Sequence, residues 1–178
     1  MWCGEETGMS EAGANSAVPT KILVPIDFSP SSHAALEAAT ELAEKFHAEL
    51  FLLNVIPQFP TVALPETVSE SAIIDAAKKE ATGHFAKSQA NLDAKGLKAT
   101  TRVEVGEDVA GSILEAIDRE HIDLVVISTH GRSGWYPMVF GSIAEKIVKL
   151  APCTLTLMRT PKPQSSAKVS SSRLMEWW

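Results

Sequence analysis

Cysteine is almost missing from this chain: Cys3 and Cys153 are the two, near opposite ends, and neither has a second cysteine or a histidine cluster beside it. That count excludes a disulfide-built scaffold, offers no zinc-ligand spacing and fits a reducing compartment. Basic residues are outnumbered, 16 against 22 acidic, and a net charge of -6 argues against gripping DNA or RNA by phosphate neutralisation. Long apolar runs are missing too. None approaches the roughly 20 residues of a membrane-spanning helix. The acidic start (Gly4, Glu5, Glu6) has no basic segment leading into an apolar one. These absences predict a soluble, cytoplasmic protein that engages neither nucleic acid nor membrane. What is present, 178 residues at 45% hydrophobic and 21% charged, makes one globular domain with tails.

Residues 1–19 are rich in Gly, Ala, Ser and Glu without periodicity and are expected to be a disordered tail. The domain is expected over 20–160. A first strand, Lys21 to Ile26, ends at Asp27, and Pro25 near its end costs only one ladder donor. Ser29-Pro30 reads as an N-cap with proline at the first helical position, opening a helix whose stripe is Ala35, Ala38, Ala39, Leu42, Ala43 and Phe46. A second strand, Glu49 to Ile56, is closed by Pro57. After a proline-punctuated connection, a second helix is expected from about Glu66 to Lys95, with Gly96 at its C-terminal stop. Leu97 to Val105 alternates like an edge strand with one wetter face. A third helix begins after a cap at Asp108, a fourth strand starts at Ile122, a fourth helix covers Ser142 to about Leu150, and a fifth strand covers Cys153 to Arg159. Residues 161–178, rich in Pro, Ser and Lys, read as a flexible tail that ends in an apolar Leu174-Met175-Glu176-Trp177-Trp178.

The stretch from Asp123 to Ser142 organises the rest. A β-branched run, Leu124 to Ile127, suits a strand buried on both faces. The small polar Ser128-Thr129-His130-Gly131-Arg132-Ser133-Gly134 follows, and a new amphipathic helix starts at Gly141-Ser142. A strand, a glycine-bearing turn and a helix start gather backbone N–H groups and a positive dipole end at one point, which suits a phosphate. The spacing is neither the P-loop nor the dinucleotide fingerprint. Ser142-Ile-Ala-Glu145 also has capping-box spacing, so Ser142 could serve the helix rather than a ligand.

Strands alternating with helices predict an α/β fold with a parallel sheet, right-handed crossovers and helices on both faces. Ligands of such sheets sit beyond the carboxyl ends, where the strand order reverses. Asp27-Phe28-Ser29 after strand one and Ser128 to Gly134 after strand four are both polar turns at such ends. They share one crevice if those strands are neighbours. Asp27 has a second reading as an Asx-turn residue. His33, His47, His84 and His121 fall on or beside helices and read as surface residues. His130 is the one histidine in the proposed site, and no Ser-His-Asp or Cys-His signature accompanies it.

Lys21-Ile-Leu-Val-Pro-Ile-Asp-Phe-Ser29, Asn54-Val55, Ser128-Thr-His-Gly-Arg-Ser-Gly134, Gly141-Ser-Ile-Ala-Glu-Lys-Ile-Val148 and Ala151-Pro-Cys153 together resemble the universal stress protein family, from about Thr20 to Arg159. The resemblance implies a Rossmann-like open five-stranded sheet of order 3-2-1-4-5, akin to the adenine nucleotide alpha hydrolases. Its ATP-binding branch carries G-x2-G-x9-G-[ST]. Here Gly131, nine residues and Gly141-Ser142 satisfy the later part, while Ser128 replaces the first glycine.

The resemblance further implies ATP as ligand, with Mg2+ or Mn2+ on its phosphates. Asp27 would meet the adenine or ribose end, with Pro25 and Val55 beside the base. Ile127, Ser128 and Gly131, the turn of Arg132, Ser133 and Gly134, and the helix start Gly141, Ser142 and Ile143 would hold ribose and phosphates. A carboxylate belongs at the uncharged end of such a ligand, since a triphosphate would repel it. The resemblance also implies an antiparallel homodimer through the edge strand Cys153 to Arg159. The function expected is regulatory adenine-nucleotide binding with at most slow ATP hydrolysis. The alternative is a homodimeric interaction module of the same fold that has stopped binding ATP. Trp135 and Tyr136 would lid the nucleotide or pack on a neighbouring subunit.

Overall fold

The computed structural model describes residues 18–58, 69–129 and 141–159. Their elements alternate as β1 (Lys21–Pro25), α1 (Pro30–Phe46), β2 (Glu49–Pro57), α2 (Glu70–Ala94), β3 (Ala99–Gly106), α3 (Val109–Arg119), β4 (Leu124–Ser128), α4 (Ser142–Leu150) and β5 (Thr154–Met158). The strands form one parallel sheet of order β3-β2-β1-β4-β5. This is the expected α/β architecture, with the reversal between β1 and β4. Both tails and the loop residues from His130 to Phe140, including Gly131, Arg132, Ser133, Gly134, Trp135 and Tyr136, lie outside the described residues, as does Glu66.

Strand periodicity of two sorts the core into two layers. Ile22, Val24, Leu50, Leu52, Leu124 and Val126 face α1 and α2, whereas Leu23, Phe51, Leu53, Val55, Val125 and Ile127 face α3 and α4. The centre is therefore apolar on both sides, as the unbroken runs of β1 and β4 require. Local chemistry fixes the helix ends. Ser29 Oγ accepts the Ser32 N–H at 3.2 Å, with Pro30 opening α1. Gly96, at φ 74°, closes α2 in a Schellman motif: its N–H reaches Asp93 O at 2.9 Å and the Leu97 N–H reaches Leu92 O at 3.0 Å.

β1 is tied to its neighbours at both ends. At the amino end, the Asp123 carboxylate accepts the Thr20 N–H at 2.8 Å and the Lys21 N–H at 3.1 Å, joining the start of β1 to the start of β4. At the carboxyl end, Ile26 continues the β1–β2 ladder through its N–H to Leu53 O, 2.8 Å. Buried Asn54 donates Nδ2–H to Ile26 O at 2.7 Å.

The histidines do not all lie on the surface. His47 and His121 are exposed, but His33 on α1 is 8% exposed and His84 on α2 is half-buried. The Phe28 ring, in the turn before α1, lies 4.8 Å from that of His84 and meets the Phe85 ring edge-on at 5.3 Å, joining that turn to α2. The end strands also differ from expectation. β5 is shorter, leaving Cys153 and Arg159 outside it, because Pro152 and the loss of a β4 partner beyond Ser128 limit its ladder.

Two outcomes follow from these packing arrangements. Asn54→Ala leaves the Ile26 carbonyl without its side-chain donor in a buried setting and should cost about 1–3 kcal/mol. Urea denaturation reads this, and a loss under about 0.5 kcal/mol would contradict it. Burial holds the His33 imidazole below its ordinary pKa of 6.5, and the nearby His84 adds to the lowering while Glu37 and Asp27 oppose it. The unfolded chain thus takes up a proton that the folded chain refuses, so stability declines as pH falls below about 6.5. Replacing His33 by Gln should flatten the decline between about pH 7 and pH 5; an equal decline in the variant would show that His33 is not its source.

Candidate functional site

Parallel pairing puts the carboxyl ends of β1 and β4 on one rim. Ile22 lies opposite Leu124 and Leu23 opposite Val125, so Pro25, Asp27, Ile127 and Ser128 all emerge there. Val55, near the end of β2, belongs to the same rim, buried on the face that carries α3 and α4. The two polar turns expected to face each other therefore leave neighbouring strands side by side.

The first turn is tightly made. Asp27 Oδ1 accepts both the Ser29 N–H at 3.1 Å and the Ser29 Oγ–H at 2.5 Å, so the Asx-turn reading of Asp27 is correct as local structure. Phe28 between them has φ 59°, a left-handed conformation that costs a bulky residue about 1–2 kcal/mol. The ring contacts with His84 and Phe85 offset that strain. The carboxylate is thus held in one orientation at the end of β1.

The described ends of the second turn meet. Thr129, 2% exposed, donates its N–H to Met158 O at 3.0 Å, and its carbonyl accepts the Gly141 N–H at 2.9 Å. The chain leaves the sheet at Thr129 and comes back to the same residue to begin α4. The capping-box reading fails here. Gly141 is the N-cap and Ser142 the first helical residue; the first intrahelical bond is Glu145 N–H to Gly141 O, while the Glu145 carboxylate accepts from Lys149 at 2.7 Å. The Gly141 carbonyl starts the helix one residue earlier than the serine-capped pattern requires. Ser142 and Ile143 are exposed, and the N–H groups of Ser142, Ile143 and Ala144 have no acceptor within α4.

Gly141 has an ordinary φ of -58°, and a Cβ built on it would meet Thr129 O at 3.5 Å, a normal contact. Among the described residues, then, nothing in the fold itself demands glycine at this position. A close ligand would.

Asn54 and Thr129, which hold the two turns, were not among the residues singled out as candidates. Their signal is faint in a sequence: a single amide in an apolar strand and a threonine inside a polar run. The described residues also form a groove between α2 and β3, lined by Lys78, Thr82, Phe85, Gln89, Thr101 and Val103. It is open and gathers no helix N-terminus. No group of three or more His, Cys, Asp or Glu among the described residues could hold a metal ion, and none of the described helices is long and apolar enough to cross a membrane.

Known proteins share this fold. Residues 19–159 match the family model described as "Universal stress protein family". Universal stress protein MJ0531 of Methanocaldococcus jannaschii is 31% identical over 144 residues, covering 81% of this chain and 84% of that protein. The solved universal stress protein UspA from Lactobacillus plantarum superposes with a TM-score of 0.71 at 27% identity, over 80% of this chain and 99% of its own. Two more distant structures share the fold. An Arabidopsis thaliana universal stress protein family protein with AMP bound has a TM-score of 0.60 at 18% identity, over 84% of this chain and 97% of its own. A universal stress protein in complex with cAMP has a TM-score of 0.56 at 20% identity, over 82% of this chain and 100% of its own. With nearly the whole described domain inside the match, this chain belongs to the universal stress protein family.

Proposed function

We propose that this protein binds an adenine nucleotide, ATP by preference, at the β1–β4 rim and serves as a regulatory stress-response protein rather than an enzyme. The observation that carries this reading is that both turns start from paired strands: Asp27 follows β1, and the Gly141 N–H bond to Thr129 O brings the end of neighbouring β4 to the start of α4. Fold relatives with AMP and cAMP support the ligand class.

The division of labour follows from charge. Asp27, oriented by Ser29, accepts hydrogen bonds from the amine or hydroxyl end of the nucleotide, with Pro25 and Val55 beside the base. The N–H groups of Ser142 and Ile143, the Ser142 hydroxyl and the backbone of Ile127, Ser128 and Gly131 serve ribose and phosphates, joined by Arg132, Ser133 and Gly134. Gly141 lets the phosphates approach the helix start. Mg2+ or Mn2+ would ride on the phosphates, because the described carboxylates form no cluster to hold it. Nothing in the proposed constellation activates a water, so hydrolysis is at most slow.

The chain also pairs with a second copy through β5. That strand is an edge of the sheet, with Leu157 36% exposed and the apolar Val148 and Leu150 of α4 exposed nearby in sequence. A cytoplasmic setting accords with the cysteine count.

Calorimetric titration with ATP, AMP and cAMP, with and without magnesium, tests the ligand. Saturable heat is expected, and Ser128→Gly should tighten ATP binding by roughly fivefold or more by removing a Cβ from the ribose–phosphate path. No binding by either form would leave only the alternative, a dimeric interaction module of this fold. For the dimer, sedimentation of the native chain should give twice the monomer mass and Leu157→Lys should return it to monomer. A native chain that sediments as a monomer refutes the pairing.

A further inference from the structure

Lys146 on α4 bonds Asp108, the N-cap of α3, through Nζ to Oδ2. The pair ties the start of α3 to α4. Lys146 stands four residues after Ser142, on the same side of α4, and side chains on a helix lean toward its N-terminus. Asp108 stands two residues after Gly106, where an added Cβ would lie 3.8 Å from Val55 Cγ1, on the base side. Val55 and Ile127, at the carboxyl ends of β2 and β4, pack under α3 and α4, so the ion pair bridges the two helices that adjoin both strand ends at the rim. We propose that Lys146 is the cation for the terminal phosphates of a nucleoside triphosphate, held on Asp108 until the nucleotide binds and then transferred to it, while the apolar packing of α3 on α4 stays in place.

This deepens the nucleotide reading and rests on it. The site lacks the lysine of a P-loop, and Lys146 supplies one from the helix rather than from the turn. Transfer is favourable because the partners are unequal. Both side chains are exposed, 43% for Lys146 and 56% for Asp108, and an exposed pair holds weakly. An ammonium on a polyphosphate makes stronger charge-assisted bonds. Asp108 is not stranded by the loss. Its carboxyl is held below the usual range first by Lys146 and then by the nearby backbone N–H groups of Gly111 and Ala110, although it makes no side-chain cap bond to α3. Left negative near a polyphosphate, however, it opposes binding. Lys146 therefore favours triphosphate over monophosphate, and Asp108 sets how much of that preference is expressed.

ATP and AMP affinities of the full-length native chain, Lys146→Gln and Asp108→Asn test the assignment. Lys146→Gln should weaken ATP by about tenfold or more while changing AMP by less than about twofold. Asp108→Asn should tighten ATP by about two- to fivefold. AMP binding serves as the internal check that each variant is folded. Equal losses of ATP and AMP in Lys146→Gln, an unchanged ratio, or weaker ATP binding in Asp108→Asn would each overturn the role of Lys146 and leave the nucleotide reading standing. A native chain that binds neither ATP nor AMP would overturn both.

Discussion

The parallel pairing of β1 with β4 is the constraint on which the rest of this structure depends. It is a short contact, with Ile22 against Leu124 and Leu23 against Val125, yet it joins the β3-β2-β1 half of the sheet to the β4-β5 half and is where the strand order reverses. Open sheets of this kind bind ligands in the crevice beyond the carboxyl ends at such a reversal. The pair is held at its amino end by one carboxylate, Asp123, taking N–H groups from Thr20 and Lys21. Without that pairing the aspartate turn and the glycine-bearing turn have no common location.

The described residues at the rim are over-determined. Asp27 is anchored by two bonds from Ser29, the carbonyl that precedes it by Asn54, and the strained Phe28 by two rings of α2. Thr129 is pinned to β5 and to α4 at once. Positions held this firmly can present donors and acceptors to a ligand with little ordering left to do on binding. The cost is carried locally, in a left-handed phenylalanine and a buried histidine whose charged form the fold disfavours.

Much of this was legible in the residues. The β-branched runs at 22–26 and 124–127, Ser29-Pro30 and Gly96 each carry a local cause, and the structure uses each one as its chemistry requires. Topology came from resemblance, since periodicity cannot say which strands are neighbours. What was not legible depends on contacts between distant segments. His33 looked like a surface residue because its burial, with His84 of α2 near enough to act on its charge, leaves no mark in its own helix. Ser142 carried capping-box spacing, but one carbonyl at Gly141 started the helix first. The Asp108–Lys146 bridge is likewise invisible, because the two residues lie on separate helices that meet only after folding.

The central claim is that the turn after β1 and the junction of β4 with α4 form a single adenine-nucleotide site. The most direct measurement is a two-dimensional amide spectrum of the native chain titrated with ATP. The account predicts that the resonances of Asp27, Ser29, Ser128, Gly141, Ser142 and Ile143 move together along one saturating curve. Movement confined to the α2–β3 groove, at Lys78, Thr82, Gln89 and Thr101, or no movement at all, would contradict it.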